Sequence, residues 1–289
     1  MPYPLRVALY RLDHVPELHA PALVVAFDGW VDAGTAATAA AQRLATDGPV
    51  VATFDADALF DYRARRPTLE IEDGRPSRLT WPELVLRHAR AGERDVLVLA
   101  GPEPDYRWHA FCDAVVELAR RLDVSEVISL GSIPGAVPHT RPVQVMGTAS
   151  RPELLRGGVE PGPEGTLRVP AAALSVLDLA LSAAGFPAVG YFAQVPHYVT
   201  GPAPAATIEL LRVLGNHLGT EIPVGNLPEE ARQIRARLDL ATAADETMRA
   251  HVARLEERAD EERAPTGDDL IADIERFLRE RGSGGSQRP

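Results

Sequence analysis

The sequence predicts an α/β fold followed by a helical arm. Short apolar runs alternate with helix-like stretches through roughly the first 220 residues, a pattern that is typical of βαβ units. The composition then changes, and from Pro228 to Arg263 nearly every residue is a helix former. At 289 residues the chain is long enough for one large α/β domain, or for a domain with an extension.

The strands and helices of the α/β region are predicted from their apolar patterns. Buried strands are expected at residues 22–27, 49–55, 95–101, 126–132 and 188–195, each a short apolar run. Helices are expected at residues 35–44, 108–122, 171–184 and 207–218. The helix at 108–122 is predicted from apolar residues that recur on one helical face, Phe111, Val115, Leu118 and Leu122.

The helical arm is expected over residues 223–281, after a core domain over residues 1–222. Apolar residues spaced by threes and fours predict one long helix at about 228–263. A second helix is predicted at about 267–280, with Thr266 as its N-cap. Residues 282–289, rich in glycine and serine, are predicted to be disordered.

Charge excludes several classes of function. All 30 positively charged residues are arginine, because the sequence contains no lysine. This excludes a lysine Schiff base, a catalytic lysine and the lysine of a phosphate-binding P-loop. The formal net charge of −11 argues against a nucleic-acid-binding protein, which would carry a basic face.

The remaining composition predicts a cytoplasmic protein without a membrane span, a metal or a cofactor. No apolar run is long enough to cross a bilayer, and the first residues lack the pattern of a signal peptide. Cys112 is the single cysteine, which excludes an intrachain disulfide framework. The eight histidines form neither H-x-x-x-H nor H-E-x-x-H, so no metal site is expected.

Four loops that follow predicted strands hold the candidate ligand or interface residues, because open α/β sheets bind ligands at the carboxyl ends of their strands. The first loop, DGWVDAG, contains Asp28, Gly29, Trp30, Asp32 and Gly34. Its glycines have the spacing of a Walker A loop, but the lysine that should follow Gly34 is missing. Asp28 or Asp32 could cap the next helix, with Trp30 closing over the core or a subunit contact. Capping and packing are favoured over ligand binding, because nearby carboxylates would repel an anion by about 1 kcal/mol.

The second and third loops offer polar groups with two interpretations each. In GPEPDYRW, Asp105 is a candidate cap for the helix that begins near Trp108, and Arg107 a candidate partner of an acid. The third loop, LGSIPGAVPHTRPVQVMGTAS, carries three further polar candidates, Ser132, His139 and Arg141. They place a nucleophile, a base and an anion partner close in sequence, but GSIPG is not the G-x-S-x-G elbow of hydrolases, so a catalytic triad is not expected. The histidine and the arginine serve an interface equally well.

The fourth loop, VPHYVTGPAPAA, presents His197 and Tyr198 on a backbone stiffened by prolines. A lone histidine in a loop is more often structural than catalytic. The dipeptides Pro138-His139 and Pro196-His197 could converge at one rim of the sheet.

The segments FDGWVDAGTAA, GPEPDYRW, LGSIPGAVPHTRPVQVMGTAS, VPHYV and PTGDDLIADIERFLR together resemble the proteasome assembly chaperone 2 family, in its actinobacterial branch. The resemblance extends from about residue 20 to about residue 280. It implies a fold similar to phosphorylases and nucleoside hydrolases, with a mixed sheet flanked by helices. It further implies a homo-oligomer, with a trimer expected, and the eukaryotic members hold proteasome α subunits during ring assembly. The family offers no catalytic residues to carry over.

Two functions follow from the sequence. The favoured one is a non-catalytic assembly or scaffold protein that contacts proteasome α subunits. Family members that dock by a C-terminal tail carry a tyrosine there, whereas this sequence ends Gln287-Arg288-Pro289, so contact is expected through the core or the arm. The alternative is an enzyme, or a binder of a nucleoside-like or anionic ligand, that uses the cleft at the strand ends.

Overall fold

The computed structural model of the chain describes residues 9–163 and 165–263. The chain divides into two compact units, with the boundary between Arg237 and Leu238. The helix predicted at about 267–280, its N-cap Thr266 and the predicted disordered tail lie outside the described residues.

The first unit is built around an eight-stranded mixed sheet. The strands in the described part of the chain are β1 (Tyr10–Leu12), β2 (Ala22–Phe27), β3 (Val50–Phe54), β4 (Thr68–Glu72), β5 (Arg75–Thr80), β6 (Val85–Ala91), β7 (Arg94–Gly101), β8 (Glu126–Gly135), β9 (Val145–Ala149) and β10 (Ala188–Pro196). Their order in the large sheet is β1-β3-β6-β7-β2-β8-β10-β9, and β4 and β5 form a separate two-stranded sheet.

Four parallel strands, β7, β2, β8 and β10, form the centre of the large sheet. Val24 of β2 lies opposite Val98 of β7 on one side and Ile128 of β8 on the other. Antiparallel strands flank this centre on both sides. Because the central strands are parallel, the loops at their carboxyl ends gather at one edge of the sheet.

Helices cover both faces of the sheet. The α-helices of the described residues are α1 (Ala36–Ala45), α2 (Ala56–Leu59), α3 (Trp108–Arg121), α4 (Ala173–Ala183), α5 (Pro204–Leu218), α6 (Leu227–Ala244) and α7 (Glu246–Arg263). On one face, α3 and α4 pack against side chains such as Phe27 and Leu99. On the other face, α1 and α5 pack against Val24 and Ile128. The buried face of α1 is made of alanines, whose small side chains let the helix lie close to the sheet.

The predicted α/β architecture, with a mixed sheet flanked by helices and a helical C-terminal region, is confirmed. The arm differs in one respect, because two helices replace the single helix predicted at about 228–263. The break falls at Asp245, whose carboxylate accepts hydrogen bonds from the backbone N–H groups of Thr247 at 2.8 Å and Met248 at 3.1 Å. An N-cap of this kind starts a new helix. No helix of the described residues is long and apolar enough to cross a membrane.

The carboxyl group of Asp178, a residue of α4, contacts β8 in the centre of the sheet. The hydroxyl of Ser129, a fully buried residue of β8, donates a hydrogen bond to Asp178 of α4. Burial raises the pKa of Asp178 to about 7, and the bond from Ser129 offsets only part of that effect. The neutral carboxyl is therefore the form that the fold favours. Its stabilising contribution is complete below the ordinary pKa of 3.8 and is lost as the pH rises through about 7.

We expect Asp178→Asn to raise the melting temperature by a few degrees at pH 8 and by much less at pH 5. The asparagine amide still accepts the Ser129 hydrogen bond but carries no charge to bury. Thermal unfolding at both pH values checks this, with the exposed Asp47→Asn as the control. Equal effects of Asp178→Asn at the two pH values would contradict a buried, titrating carboxyl.

Candidate functional site

The carboxyl ends of the central strands carry the four predicted loops, which we call the strand-end rim: residues 28–35, 101–107, 132–141 and 195–203. Backbone hydrogen bonds join them in pairs. Asp28 N–H donates to the Gly101 carbonyl at 3.0 Å, and Ser132 N–H donates to the Val31 carbonyl at 2.7 Å. His197 N–H donates to the Gly135 carbonyl at 3.1 Å. The predicted convergence of the two Pro-His loops is therefore present in the fold.

Asp32 is a buried carboxylate at the start of α1. Its Oδ1 accepts hydrogen bonds from the backbone N–H groups of Ala37 at 2.8 Å and Thr38 at 3.3 Å, and its Oδ2 accepts one from the Thr38 hydroxyl. The first backbone N–H groups of a helix have no partner within the helix. Asp32 supplies that partner, so this residue caps α1, as one of the two interpretations of the sequence predicted.

Burial and hydrogen bonding have opposite effects on the pKa of Asp32. Burial raises the pKa of the Asp32 carboxyl, and the hydrogen bonds from Thr38 and Ala37 lower it in part. The carboxylate is also favoured by the positive end of the α1 dipole. The amide donors that would hold an external anion at this helix end are therefore occupied by a side chain of the protein itself.

Gly34 allows two loops of the rim to meet. Its φ is +63°, and a Cβ atom at this position would lie 2.5 Å from the Cβ atom of Ala203. Ala203 N–H also donates to the Gly34 carbonyl at 2.9 Å. The second glycine of the apparent Walker spacing thus serves the close approach of the loop that precedes α5, and not the approach of a phosphate.

Asp28 is paired with an arginine that the sequence did not single out. The Nη1 atom of Arg65 lies 2.7 Å from Asp28 Oδ1 and 3.0 Å from Asp28 Oδ2. Glu103 N–H donates to Asp28 Oδ1 at 3.1 Å. Arg65 comes from the loop after α2, 37 residues along the chain, so no local pattern could have identified this pair.

Glu103 passes beside the first glycine of the loop. A Cβ atom at Gly29, whose φ is +108°, would lie 3.0 Å from Glu103 Oε2. The other carboxylate oxygen, Oε1, accepts a hydrogen bond from Ala173 N–H at 2.7 Å, at the start of α4. Gly29 therefore leaves the space in which Glu103 reaches and caps α4.

The predicted role of Asp105 is wrong. Its carboxylate accepts a hydrogen bond from Asp61 N–H at 2.8 Å and lies 3.7 Å from Arg65 Nε, so it does not cap α3. Arg107 is the N-cap of α3, in a left-handed conformation with φ +58°. Among the described residues Arg107 forms no ion pair, whereas the half-buried Trp108 donates its indole N–H to the Pro104 carbonyl.

Ser132 is fully buried and bonded within the rim. Its hydroxyl donates to the Ala33 carbonyl at 2.8 Å and lies 3.4 Å from Asp32 Oδ1. Its partners among the described residues include no histidine, so the geometry of a serine nucleophile with a histidine base is not formed there.

His139 and Tyr198 form the contact between the third and fourth loops. The Tyr198 hydroxyl accepts a hydrogen bond from His139 N–H at 2.8 Å and lies 2.7 Å from His139 Nδ1. The His197 ring stacks edge-on against Tyr198, with ring centroids 5.4 Å apart. Arg235 donates to the His139 carbonyl at 2.9 Å, and Arg141 lies 3.4 Å from the Thr140 hydroxyl. The contact of His139 with Tyr198 joins the two loops, and Arg235 of α6 adds a bond to the third loop.

The first and second loops of the rim carry exposed aromatic side chains. Trp30 is 62% exposed and Tyr106 is 49% exposed, at the ends of β2 and β7. Outside the rim, Trp81 is 47% exposed and packs edge-on against Tyr62, with ring centroids 4.7 Å apart. The expectation that Trp30 closes over the core of this unit is wrong, and Trp108 and Tyr198 are only half-buried. Tyr106 lies in the predicted loop GPEPDYRW, but neither Tyr106 nor Trp81 was among the candidate residues predicted from the sequence.

The carboxylates of the rim are therefore hydrogen-bonded within the protein, whereas two of its aromatic side chains face solvent. The carboxylates of Asp28, Asp32 and Asp105 each have donors within the protein. In residues 9–163 and 165–263, no group of three or more His, Cys, Asp or Glu side chains is arranged to hold a metal ion. Exposed Trp and Tyr side chains are the residue types that contribute most to protein–protein interfaces.

We expect Asp32→Ala to lower the free energy of unfolding by about 1–2 kcal/mol, because two N–H groups of α1 lose their buried acceptor. Asp32→Asn keeps an acceptor oxygen and should lose less. Urea unfolding of both variants measures the difference. A stability of Asp32→Ala equal to that of the unaltered chain would contradict the capping role.

Comparison with known proteins bears on this site. The sequence profile of the PAC2 family matches residues 26–241, a span that includes the whole rim. Proteins with curated descriptions give no match. A solved PAC2 family protein of Streptomyces avermitilis is 38% identical, with 80% of this chain and 99% of that chain covered and a TM-score of 0.72.

Two further solved structures are similar. A proteasome-assembly chaperone homologue of Mycobacterium tuberculosis is 36% identical, covering 80% of this chain and 99% of that chain with a TM-score of 0.72. A protein of unknown function from Corynebacterium glutamicum is 32% identical, covering 88% of this chain and 98% of that chain with a TM-score of 0.83. The resemblance is confirmed for the four segments that lie within residues 26–241, and the chain belongs to the PAC2 family. The fifth segment, PTGDDLIADIERFLR, lies outside the matched residues and outside the described ones.

Proposed function

We propose that this chain is a non-catalytic, homo-oligomeric protein of the cytoplasm that binds proteasome α subunits through the aromatic side of its strand-end rim. A trimer is the form that the family resemblance implies. The observation that carries the proposal is the contrast within the rim: its carboxylates are bonded internally, while Trp30 and Tyr106 stand exposed.

Rigidity supports a binding role for this surface. Trp30 sits between Asp28, held by Arg65, and Asp32, held by α1. The chain on both sides of the indole is therefore fixed before any partner arrives. A side chain presented on an ordered loop loses little conformational freedom when it is buried in an interface.

Charge gives the rim a defined polarity around these aromatics. Arg65 lies between two carboxylates, 2.7 Å from Asp28 and 3.7 Å from Asp105. Tyr106 follows Asp105 directly, so the exposed ring stands beside this ion-pair cluster. An aromatic centre with charged groups around it is the usual arrangement of a protein-binding surface.

Similarity to a proteasome-assembly chaperone homologue supports a proteasome subunit as the partner. The relative from Mycobacterium tuberculosis is described as a proteasome-assembly chaperone homologue. The alternative, an enzyme or a binder of nucleoside-like or anionic ligands, would require Asp28 or Asp32 to meet a ligand. Asp32 would first have to leave its donors, which would leave backbone N–H groups at the start of α1 without an acceptor. Asp28 is 42% exposed, but its charge is already paired with Arg65.

We expect purified α subunits of the host's own proteasome to bind the chain, and Trp30→Ala combined with Tyr106→Ala to weaken that binding at least tenfold. Both side chains are exposed, so their removal should leave the fold intact. Biolayer interferometry with immobilised α subunits measures the affinity. Leu179→Ala, on the exposed side of α4, is the matched control because Leu179 is 73% exposed and is not part of the rim.

Two results would count against the proposal. The first is failure of the unaltered chain to bind α subunits above the level of an unrelated acidic protein. The second is equal binding by the double variant and by Leu179→Ala, which would remove the rim from the interaction.

A further inference from the structure

A polar cavity lies between α4 and the edge of the large sheet that β10 and β9 form. Its volume is about 160 Å³, several times the roughly 30 Å³ that a water molecule occupies in the liquid. Its polar lining comes from Asp178 and Ser182 of α4, from Thr148 of β9 and from Ser150 directly after that strand. None of these residues belongs to the strand-end rim.

The register of the sheet creates the space for this cavity. Gly190 of β10 lies opposite Ser129 of β8 on one side and opposite Thr148 of β9 on the other, so the three residues lie on the same face of the sheet. A Cβ atom at Gly190 would lie 2.7 Å from Thr148 Oγ1 and 2.7 Å from a ring carbon of Phe192. Glycine therefore keeps the middle of this row open, between two hydroxyl side chains.

Asp178 lines the cavity with a carboxylate oxygen that has no donor in the described part of the chain. Its Oδ1 atom accepts the hydrogen bond from Ser129, and no described residue donates to its Oδ2 atom or forms an ion pair with it. A carboxylate can accept about four hydrogen bonds. The side chain is half-buried, so protein surrounds most of it while part of it stays open to the cavity.

Stability does not explain an aspartate at this position. Asparagine would keep the hydrogen bond from Ser129 without a charge to bury, which is the basis of the stabilisation expected for Asp178→Asn at pH 8. A residue that lowers stability where a neutral one would serve is typical of a functional site.

The surroundings of Asp178 supply no positive charge to offset its own. The rest of α4 carries no charged residue, and neither do the strand segments 127–131, 145–149 and 188–192 beneath it. From α3, Cys112 is the titratable group on which Asp178 acts. Burial raises the pKa of the Cys112 thiol to about 11, and the charges of Asp113 and Asp178 add to that effect, so the thiol is neutral at pH 8.

The lining of the cavity favours a cation with several hydrogen-bond donors. Its lining residues include no arginine, so an anion would meet only the repulsion of Asp178. Ca²⁺ and Mg²⁺ take several oxygen ligands, and the cavity offers a single carboxylate. A primary ammonium group carries three N–H donors, which the Asp178 carboxylate and the hydroxyls of Thr148 and Ser182 can accept. Ala149 and Leu179 add apolar walls for a short carbon chain.

We propose that the cavity under α4, which we call the Asp178 cavity, binds a primary ammonium group through the Asp178 carboxylate and the hydroxyls of Thr148 and Ser182. The group belongs to a small amine or to a lysine of another protein, since this chain contains no lysine. The site is separate from the strand-end rim and independent of the proposed contact with proteasome subunits.

A proton competes with the ammonium group for Asp178. The pKa of this carboxyl is raised to about 7 by burial, so a cation that binds below this pH must displace a proton. The affinity should therefore fall about tenfold for each pH unit below 7.

Thermal unfolding of the full chain in methylammonium chloride tests the proposal, in a buffer that contains no primary amine. At pH 8 this salt should raise the melting temperature by a few degrees more than the same concentration of tetramethylammonium chloride, which has equal charge and no N–H donor. The difference should disappear in Asp178→Asn and shrink in Thr148→Val. Asp47→Asn, at an exposed residue outside the cavity, is the matched control for the lost charge and should keep the difference.

The pH dependence supplies a second test that requires no variant. The difference between the two salts should be much smaller at pH 5 than at pH 8 in the unaltered chain. Equal melting temperatures in the two salts at pH 8 would overturn the proposal. A difference that is as large at pH 5 as at pH 8, or that persists in Asp178→Asn, would overturn it as well.

Two further compounds separate the sources of the ammonium group. Ethylammonium represents a free amine, and Nα-acetyllysine amide represents a lysine side chain on a protein backbone. Stabilisation at pH 8 by ethylammonium alone would assign the cavity to a small amine. Stabilisation by the lysine compound at the same or a lower concentration would assign it to a lysine of another protein. Stabilisation by neither compound would overturn the proposal.

Discussion

The arrangement of the strand-end rim depends on one buried carboxylate. Asp32 joins the end of β2 to the start of α1, and Ser132 of β8 lies against it. Removing this group from water is unfavourable, as the raised pKa of its carboxyl shows, and the donors of Thr38 and Ala37 offset that cost. An internal anion at the helix end satisfies the same N–H groups that bind phosphate in nucleotide-binding folds. A loop with nearly the spacing of a P-loop thus becomes part of the scaffold.

With the rim fixed in this way, two groups of exposed apolar side chains lie near it on the surface of the first unit. One is the pair of exposed aromatics, Trp30 and Tyr106, on loops held by Asp28 and Asp32. The other is formed by Leu69, Ile71 and Leu79 of the β4–β5 hairpin. The segment after α2 connects them, since Arg65 contacts the rim and Thr68 begins β4 only three residues later. Both features suit macromolecular partners better than a small ligand.

Strands and helices could be predicted from the sequence where an apolar pattern coincides with burial in the fold. The predicted strand at residues 22–27 matches β2, whose residues are all buried. Strands with polar sequences were missed: β6 contains Arg87, His88 and Arg90, and β4 and β5 are exposed throughout. At the site, Asp32 was recognisable as a cap because its partners are local. The Asp28–Arg65 pair was not, because only the folded chain brings these residues together.

The central claim is that the carboxylates of the rim are structural and do not form a ligand site. Calorimetric titration of the full chain with phosphate, nucleosides and simple sugars at millimolar concentration tests this most directly. The account predicts no saturable heat for any of these compounds. A saturable heat that disappears in Asp28→Asn would contradict it, and would establish the Asp28–Arg65 pair as part of a small-molecule site.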